Sequence, residues 1–181
     1  MKATGIVRRI DDLGRVDIPK EIRRTMRIRE GDPLEIYTDK EGGIVFRKYS
    51  QVGELTEFAD TYAETISKIS GLPTAIVDKE SVIAVSGVSK KDVLEKNISL
   101  DVGGLLEEKI TYDASRVGAS LISLLNATDK YTVSYACPVV CQGESIGAVV
   151  LFSPDGMVSA GEAAGKVVQT SAAVLGKIAD E

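Results

Sequence analysis

The chain has 181 residues, a formal net charge of −5 and a hydrophobic fraction of 44%, which suits one ordinary globular domain or two small ones. No stretch comes near the roughly 18 apolar residues of a membrane span, and the charged start does not resemble a signal peptide, so we expect a cytoplasmic protein. Histidine is absent, which excludes Ser-His and Cys-His catalysis within one chain and argues against an enzyme.

The charge is distributed unevenly along the chain. Residues 1–50 hold 12 Lys and Arg against 9 Asp and Glu, whereas residues 51–181 hold 10 against 18. A basic beginning joined to an acidic remainder indicates a module that binds a polyanion, followed by a part with a different task.

The first 50 residues predict five elements in order: a strand, a turn, a strand, a helix and a hairpin. They cover 4–10, 11–14, 15–19, 19–27 and 33–48. Pro19 suits the first helical position, Ile22 and Met26 are predicted to face inward, and Gly31 is predicted to stop the helix. A segment of this size rarely buries an adequate core without disulfides or metal, and neither is expected here, so the sequence predicts an obligate dimer.

The remainder predicts an α+β domain, residues 56–181, after a polar linker at 51–55. A helix over 54–71 carries Leu55, Phe58, Tyr62, Ile66 and Ile69 at helical spacing and is predicted to bury them. Strands are predicted at 73–78, 81–87, 131–140 and 144–153, with short helical pieces between 89 and 109. The final segment, 159–180, predicts a long helix whose many Ala and Gly residues would allow a partner helix to approach closely. Helices and strands in this order favour one antiparallel sheet covered by helices.

Two cysteines, Cys137 and Cys141, are four residues apart and are interpreted as small core residues. They do not form a disulfide framework, and two thiols cannot close a tetrahedral zinc site unless a dimer supplies four. No cofactor and no metal is predicted, and no glycine pattern indicates a nucleotide site.

Five arginines in the basic segment are the candidate binding residues: Arg8, Arg9, Arg15, Arg23 and Arg24. If a strand end, a turn and a helix surface pack together, their guanidinium groups would meet on one face. The planar fork of arginine binds phosphate and the edge of guanine in a bidentate manner. A solvated charged face is the alternative interpretation, because most charge runs have no other role.

The stretch "KATGIVRRIDDLGRVDIPKEIRRTMRIREGDPLEIYTDKEGGIVFRKY" resembles the AbrB-type transition-state regulators almost throughout. The resemblance implies an interleaved swapped-hairpin dimer that binds double-stranded DNA, with the five arginines as the contacts. The full length is similar to sporulation-stage transcription regulators with a GAF-like C-terminal domain. That part of the resemblance implies that an unknown small-molecule effector binds to the C-terminal domain. The alternative is a domain that only oligomerises, through the Leu55–Ile69 helix and the final helix. We expect a homotetramer with separate contacts in the two parts of the chain. We expect binding to A·T-rich promoter regions.

Asp17 interrupts this basic segment between Val16 and Ile18, on the outer side of the predicted strand. We interpret it as an exposed acid that can pair with a neighbouring arginine, and the alternative is a residue that repels phosphate and lowers DNA affinity.

Two other functions are alternatives to a transcription regulator. Some antitoxins share the swapped-hairpin segment, but their tails are flexible, whereas this tail is periodic enough to fold. An enzyme in the C-terminal domain is the remote alternative.

Overall fold

The computed structural model describes residues 5–26, 28–40, 42–49, 56–156 and 158–180. The chain divides into two units, Met1–Tyr49 and Ser50–Glu181, which we call the head and the C-terminal domain. Each is described by itself below.

The only strands in the described part of the head form the predicted hairpin. β1 (Leu34–Thr38) and β2 (Ile44–Lys48) pair antiparallel, in register from Leu34 opposite Lys48 to Thr38 opposite Ile44. The Asp39 N–H donates to the Gly43 carbonyl at 3.0 Å to close the loop. Gly42 has a φ of 82°, which glycine adopts at little cost, so the loop sequence explains the turn.

Helix α1 (Lys20–Thr25) is shorter than the predicted 19–27. Pro19 directly precedes the helix, and its carbonyl accepts the Arg23 N–H at 2.9 Å, so the proline fixes the start one residue later than predicted. Ile22 is half-buried, but Met26 is 50% exposed and does not turn inward within this chain. The helix ends well before Gly31, and Arg27 lies outside the described residues.

The strands predicted at 4–10 and 15–19 are wrong for the single chain, because residues 5–10 and 15–19 form none. A strand exists only when its N–H and C=O groups pair with a neighbour, and the described part of this chain places no strand beside either segment. Among the described residues, the backbone hydrogen bonds of these two segments are one in the turn, from the Asp11 N–H to the Arg15 carbonyl at 3.0 Å, and one at the start of α1, from the Arg23 N–H to the Pro19 carbonyl at 2.9 Å.

The described part of the head has no buried side chains in the single chain. None of its described residues is buried, and several large apolar side chains are more than 60% exposed: Val7, Ile10, Leu13, Ile36 and Ile44. Apolar residues exposed at this density mark a surface that another molecule covers.

The C-terminal domain is built on one antiparallel sheet in the spatial order β4-β3-β8-β7-β5, with β6 also paired to β7. The strands are β3 (Thr74–Asp78), β4 (Val82–Ser86), β5 (Tyr112–Asp113), β6 (Ser123–Leu125), β7 (Thr128–Cys141) and β8 (Glu144–Ser153). The helices are α2 (Thr56–Ser70), α3 (Lys90–Val93), α4 (Leu100–Glu108) and α5 (Gly161–Ile178). This confirms the predicted α+β class; β5 and β6 are the strands that the pattern missed.

Each face of this sheet carries its own apolar core. α2 and α5 cover one face, where Ile66 and Leu175 pack with Ile76, Val149 and Leu151. The other face is covered by α3 and α4. There the buried side chains include Val93, Val102, Leu124, Val133 and Phe152. Strands buried on both faces explain why β8 reads as an almost continuous apolar run.

The prediction for α2 is right in position and wrong in part about its buried side. Ala59, Ala63 and Ile66 are buried, whereas Phe58 is 55% exposed and Ile69 is 65% exposed. Leu55 lies outside the described residues. Small alanines let the helix lie close to the sheet, and the larger apolar side chains are left beside the contact.

Two glycines of α5 lie against the sheet, and the approach of a partner helix to this segment stays a prediction. Gly165 lies under the Tyr135 ring, where an added Cβ would come within 2.9 Å of Cε2. An added Cβ at Gly176 would overlap the Val140 backbone carbonyl oxygen. Because the Val140 oxygen belongs to the backbone, no flexible side chain can move aside to relieve the overlap at Gly176.

We therefore expect Gly176→Ala to lower the free energy of unfolding of the C-terminal domain by about 1–3 kcal/mol, the usual cost of overpacking. Chemical denaturation of the full chain measures it. Gly104→Ala is the matched control, because no atom lies within 4 Å of its added Cβ and alanine is the better helix residue. An equal loss of stability in both variants would contradict the close approach.

Candidate nucleic-acid interface

All five predicted arginines lie on the surface of the head. Arg8 and Arg9 precede the turn, Arg15 ends it, and Arg23 and Arg24 occupy the last turn of α1. Of these five arginines, only Arg15 forms a salt bridge within the described residues. The other four guanidinium groups therefore keep their charge available to an external anion.

Arg23 and Arg24 both lie on α1, which has only six residues. Because Arg23 and Arg24 are consecutive, their side chains leave α1 about 100° apart. Thr25 donates its hydroxyl hydrogen to the Glu21 carbonyl at 2.8 Å within the same helix. Such a short helix contributes little stability itself, so the position of these arginines depends on what packs against Ile22.

Arg15 is held differently, by the carboxylate of Asp11. Oδ1 of Asp11 accepts the Leu13 N–H at 3.0 Å and the Arg15 N–H at 2.7 Å, while Oδ2 accepts Nε–H of Arg15 at 2.9 Å. Gly14, with a φ of 75°, donates its N–H to the Asp11 carbonyl at 3.1 Å. The Arg15 backbone N–H, followed by its guanidinium, lowers the pKa of the Asp11 carboxyl, which is therefore ionised at neutral pH.

The sequence interpretation missed this role of Asp11. A signal was present, since an aspartate three residues before a glycine and four before an arginine is typical of a side-chain-closed turn. It also missed Arg47, whose guanidinium carbon lies 5.2 Å from the centroid of the Tyr37 ring on the hairpin. That distance fits a cation–π contact, which orients a further cation of the head.

Asp17 is exposed, as predicted, and has no salt bridge within the described residues. The suggested pairing with a neighbouring arginine is therefore not found among the described residues. Asp12 is likewise exposed and unpaired in the described part of the chain. The turn thus holds one engaged carboxylate next to one that is free.

The C-terminal domain has an open groove of about 390 Å³ along β5 and the loop that follows it. Its lining includes Tyr112, Asp113 and Arg116, together with Ile110 and Val117. Burial, and then the nearby Asp113 carboxylate, raise the pKa of Tyr112. The Ser115 hydroxyl and backbone N–H lower the pKa of Asp113, so this groove presents one anion and one cation at neutral pH.

The cysteines are free thiols in this domain. Cys141 is buried, as predicted, and Cys137 is half-buried, with burial raising the pKa of its thiol. Among the described residues, no three His, Cys, Asp or Glu side chains are grouped so that they could hold a metal ion. Within the same residues, every helix is too short or too polar to span a bilayer.

Two family models match the chain. One, described as stage V sporulation protein T C-terminal, transcription factor, matches residues 54–179. The other, described as antidote-toxin recognition MazE, bacterial antitoxin, matches residues 7–54.

Curated relatives match both parts. Over 178 residues the chain is 48% identical to stage V sporulation protein T of Bacillus subtilis (strain 168), covering 98% of each chain. Over 49 residues it is 61% identical to the transition state regulatory protein AbrB of the same organism, covering 27% of this chain and 50% of AbrB.

Among solved structures, the N-domain of the transcription factor AbrB is 60% identical, with a TM-score of 0.26, over 28% of this chain and 94% of that one. The GAF domain of an Acinetobacter phosphoenolpyruvate-protein phosphotransferase is 15% identical, with a TM-score of 0.49, over 73% of this chain and 83% of that one.

The match over almost the whole length of both chains defines a sporulation transcription factor with an AbrB-like head. The chain belongs to the stage V sporulation protein T family. The resemblance read from the sequence is thereby confirmed. The antitoxin alternative is not favoured, because the antitoxin model covers residues 7–54 alone, whereas the family match spans both units.

Proposed function

We propose that the protein is a cytoplasmic, non-enzymatic transcription regulator of sporulation-stage genes that binds double-stranded DNA through its head. The contacts are Arg8, Arg9, Arg15, Arg23 and Arg24, which we call the arginine face. All five arginines are exposed and lie in the basic part of an otherwise acidic chain. Four of them make no salt bridge within the described residues. This exposed, unpaired positive charge is the observation that carries the proposal. In this proposal residues 1–50 form the DNA-binding domain, 51–55 the linker and 56–181 the sensor and oligomerisation domain.

The arginine face is proposed to act mainly on phosphate. Its guanidinium groups lie on an irregular segment, a turn and a six-residue helix, and none of these elements is a long recognition helix for the major groove. Phosphate contacts fix position, while sequence is read through the shape and bendability of the duplex. An A·T-rich promoter, with a narrow and strongly negative minor groove, is the target that this mode favours.

A dimer through the head is the second part of the proposal. It is supported by a head in which no described residue is buried and in which five large apolar side chains are mostly exposed. A second copy of the chain would supply partners for residues 5–10 and 15–19 and cover those apolar groups. It would also double the arginine face to ten guanidinium groups, which raises affinity for a polyanion steeply.

The C-terminal domain is proposed to join two such dimers into a tetramer. On α2, Phe58, Tyr62 and Ile69 lie within about 40° of one another, beside the stripe that packs on the sheet. On α5, Val167, Val174 and Ile178 form an equivalent stripe, in which Val174 is 36% exposed. Apolar stripes on neighbouring helices favour helix packing between copies.

The groove beside β5 is the proposed place for a small effector. It combines apolar side chains with the guanidinium of Arg116, for which no salt bridge is found in the described residues. Ligand sites commonly pair an apolar lining with a few charged groups in this way.

The DNA-binding proposal is tested by a salt series with an A·T-rich duplex and a scrambled duplex of equal length. We expect tight binding whose log K falls with log salt at about 0.9 per phosphate neutralised. Arg8→Ala and Arg23→Ala each remove two contacts per dimer, so each slope becomes shallower by about 1.8. Lys91→Ala, the same charge change at an exposed position of the C-terminal domain, is the matched control and leaves the slope unchanged. Equal effects of all three substitutions would contradict the arginine face.

The tetramer proposal is tested by sedimentation equilibrium of full-length variants. Phe58→Asp and Ile69→Asp place a charge in the α2 stripe, and we expect the assembled mass to fall from four chains to two. Val117→Asp is the matched control, because Val117 is fully exposed in a loop and its substitution leaves four chains together. Four chains in every variant would contradict the contact through α2.

A further inference from the structure

The carboxylate of Asp11 accepts hydrogen bonds within the described part of the head, in contrast to the carboxylates nearest to it. Asp11 accepts three hydrogen bonds, two at Oδ1 from backbone N–H groups and one at Oδ2 from the Arg15 side chain. Asp12 and Asp17, both exposed, accept none in the part of the chain that the structure describes. A specific role therefore separates Asp11 from the other acids near the arginine face.

Stability does not account for the side-chain contact. The Arg15 side chain is 71% exposed and the Asp11 side chain 39% exposed, so water screens the ion pair and its contribution to folding is small. The two bonds to backbone N–H groups are sufficient to close the turn. The bond from Oδ2 to Nε therefore needs another explanation.

The geometry of that bond leaves the binding end of Arg15 free. A guanidinium carries five N–H donors, one on Nε and four on the two Nη atoms. Asp11 takes only the Nε donor, and within the described residues no hydrogen bond involves Nη1 or Nη2 of Arg15. The two Nη groups, which can bind phosphate in a bidentate manner, thus stay available while Nε is held by Asp11.

Holding the stem has a consequence for affinity. Arginine has a long side chain with many rotamers, and immobilising it on binding costs free energy. A side chain that is already ordered in the free protein loses less on binding. Asp11 carries a negative charge that would repel DNA, but its ion pair with Arg15 compensates for it locally.

We infer that Asp11 is a positioning residue for DNA binding, which orients the Arg15 guanidinium toward phosphate. This inference rests on the proposed function of the arginine face. Asp11 itself does not contact DNA, and its effect passes through Arg15. It predicts an unusual sign: removing this negative charge weakens binding to a polyanion.

The test uses Asp11→Asn in the full-length protein, with the A·T-rich duplex as the probe at several salt concentrations. Asparagine keeps an oxygen at Oδ1 for the two backbone N–H groups but places an amide donor opposite Nε–H, so the turn remains and the hold on Arg15 is lost. We expect affinity to fall about three- to tenfold, the range for ordering one long side chain on binding. Asp12→Asn, the same charge change one residue away, leaves affinity unchanged or raises it.

A double-mutant cycle with Arg15→Ala decides whether the effect passes through Arg15. In the Arg15→Ala background, Asp11→Asn no longer weakens binding if Asp11 only positions that side chain. A loss that persists there assigns Asp11 a purely structural role in the turn and overturns the inference. So does a gain in affinity for Asp11→Asn that matches Asp12→Asn.

The same cycle separates this inference from the proposed function. If Arg15→Ala weakens binding and Asp11→Asn does not, Asp11 has no positioning role although the arginine face stands. If Arg8→Ala, Arg15→Ala and Arg23→Ala all bind like the wild type, the arginine face itself is wrong and the inference fails with it.

Discussion

The constraint on which the rest of the structure depends is that the head has no core of its own. None of its described residues is buried, although it contains valine, isoleucine, leucine and aromatic side chains in ordinary numbers. Folding must repay the conformational entropy of every ordered residue, and so short a segment cannot do so through a hairpin and one short helix. In the proposed dimer, a second copy would cover these apolar side chains and fix the position of α1.

The C-terminal domain, in contrast to the head, has apolar cores of its own. Its sheet is covered on both faces, and α5 lies so close to β7 that glycine is needed at Gly165 and Gly176. A domain with two cores can hold apolar stripes on its surface without losing its fold. Such a domain is compatible with the oligomerisation proposed for it.

Several elements of the fold and the surface position of the five arginines could be predicted from the sequence. The run Glu144–Ser153 and the hairpin around Gly42 and Gly43 follow from local patterns, and both appear where predicted. The resemblance to AbrB-type regulators was carried by the residues from the turn to α1. All five arginines lie on the surface, which is what a binding role requires. Their role in DNA binding stays a prediction.

Other features depend on tertiary contacts that a pattern does not contain. No strand of the described residues lies beside 5–10 or 15–19, so residue preference alone could not form strands there. Periodicity favoured Phe58 and Ile69 as the buried side of α2, but close packing selected Ala59 and Ala63. β5 and β6 were missed because two or three residues give no readable alternation.

The most direct test of the account is a mixed sample of full-length chains carrying two different methyl labels, examined for nuclear Overhauser effects between chains. The account predicts interchain contacts at the exposed methyl groups of the head, with Ile36 and Ile44 among them. Interchain contacts restricted to the C-terminal domain, with a head that is ordered within each single chain, would contradict it. In that case the arginine face would have to be complete in one copy, and the dimer would have no part in forming it.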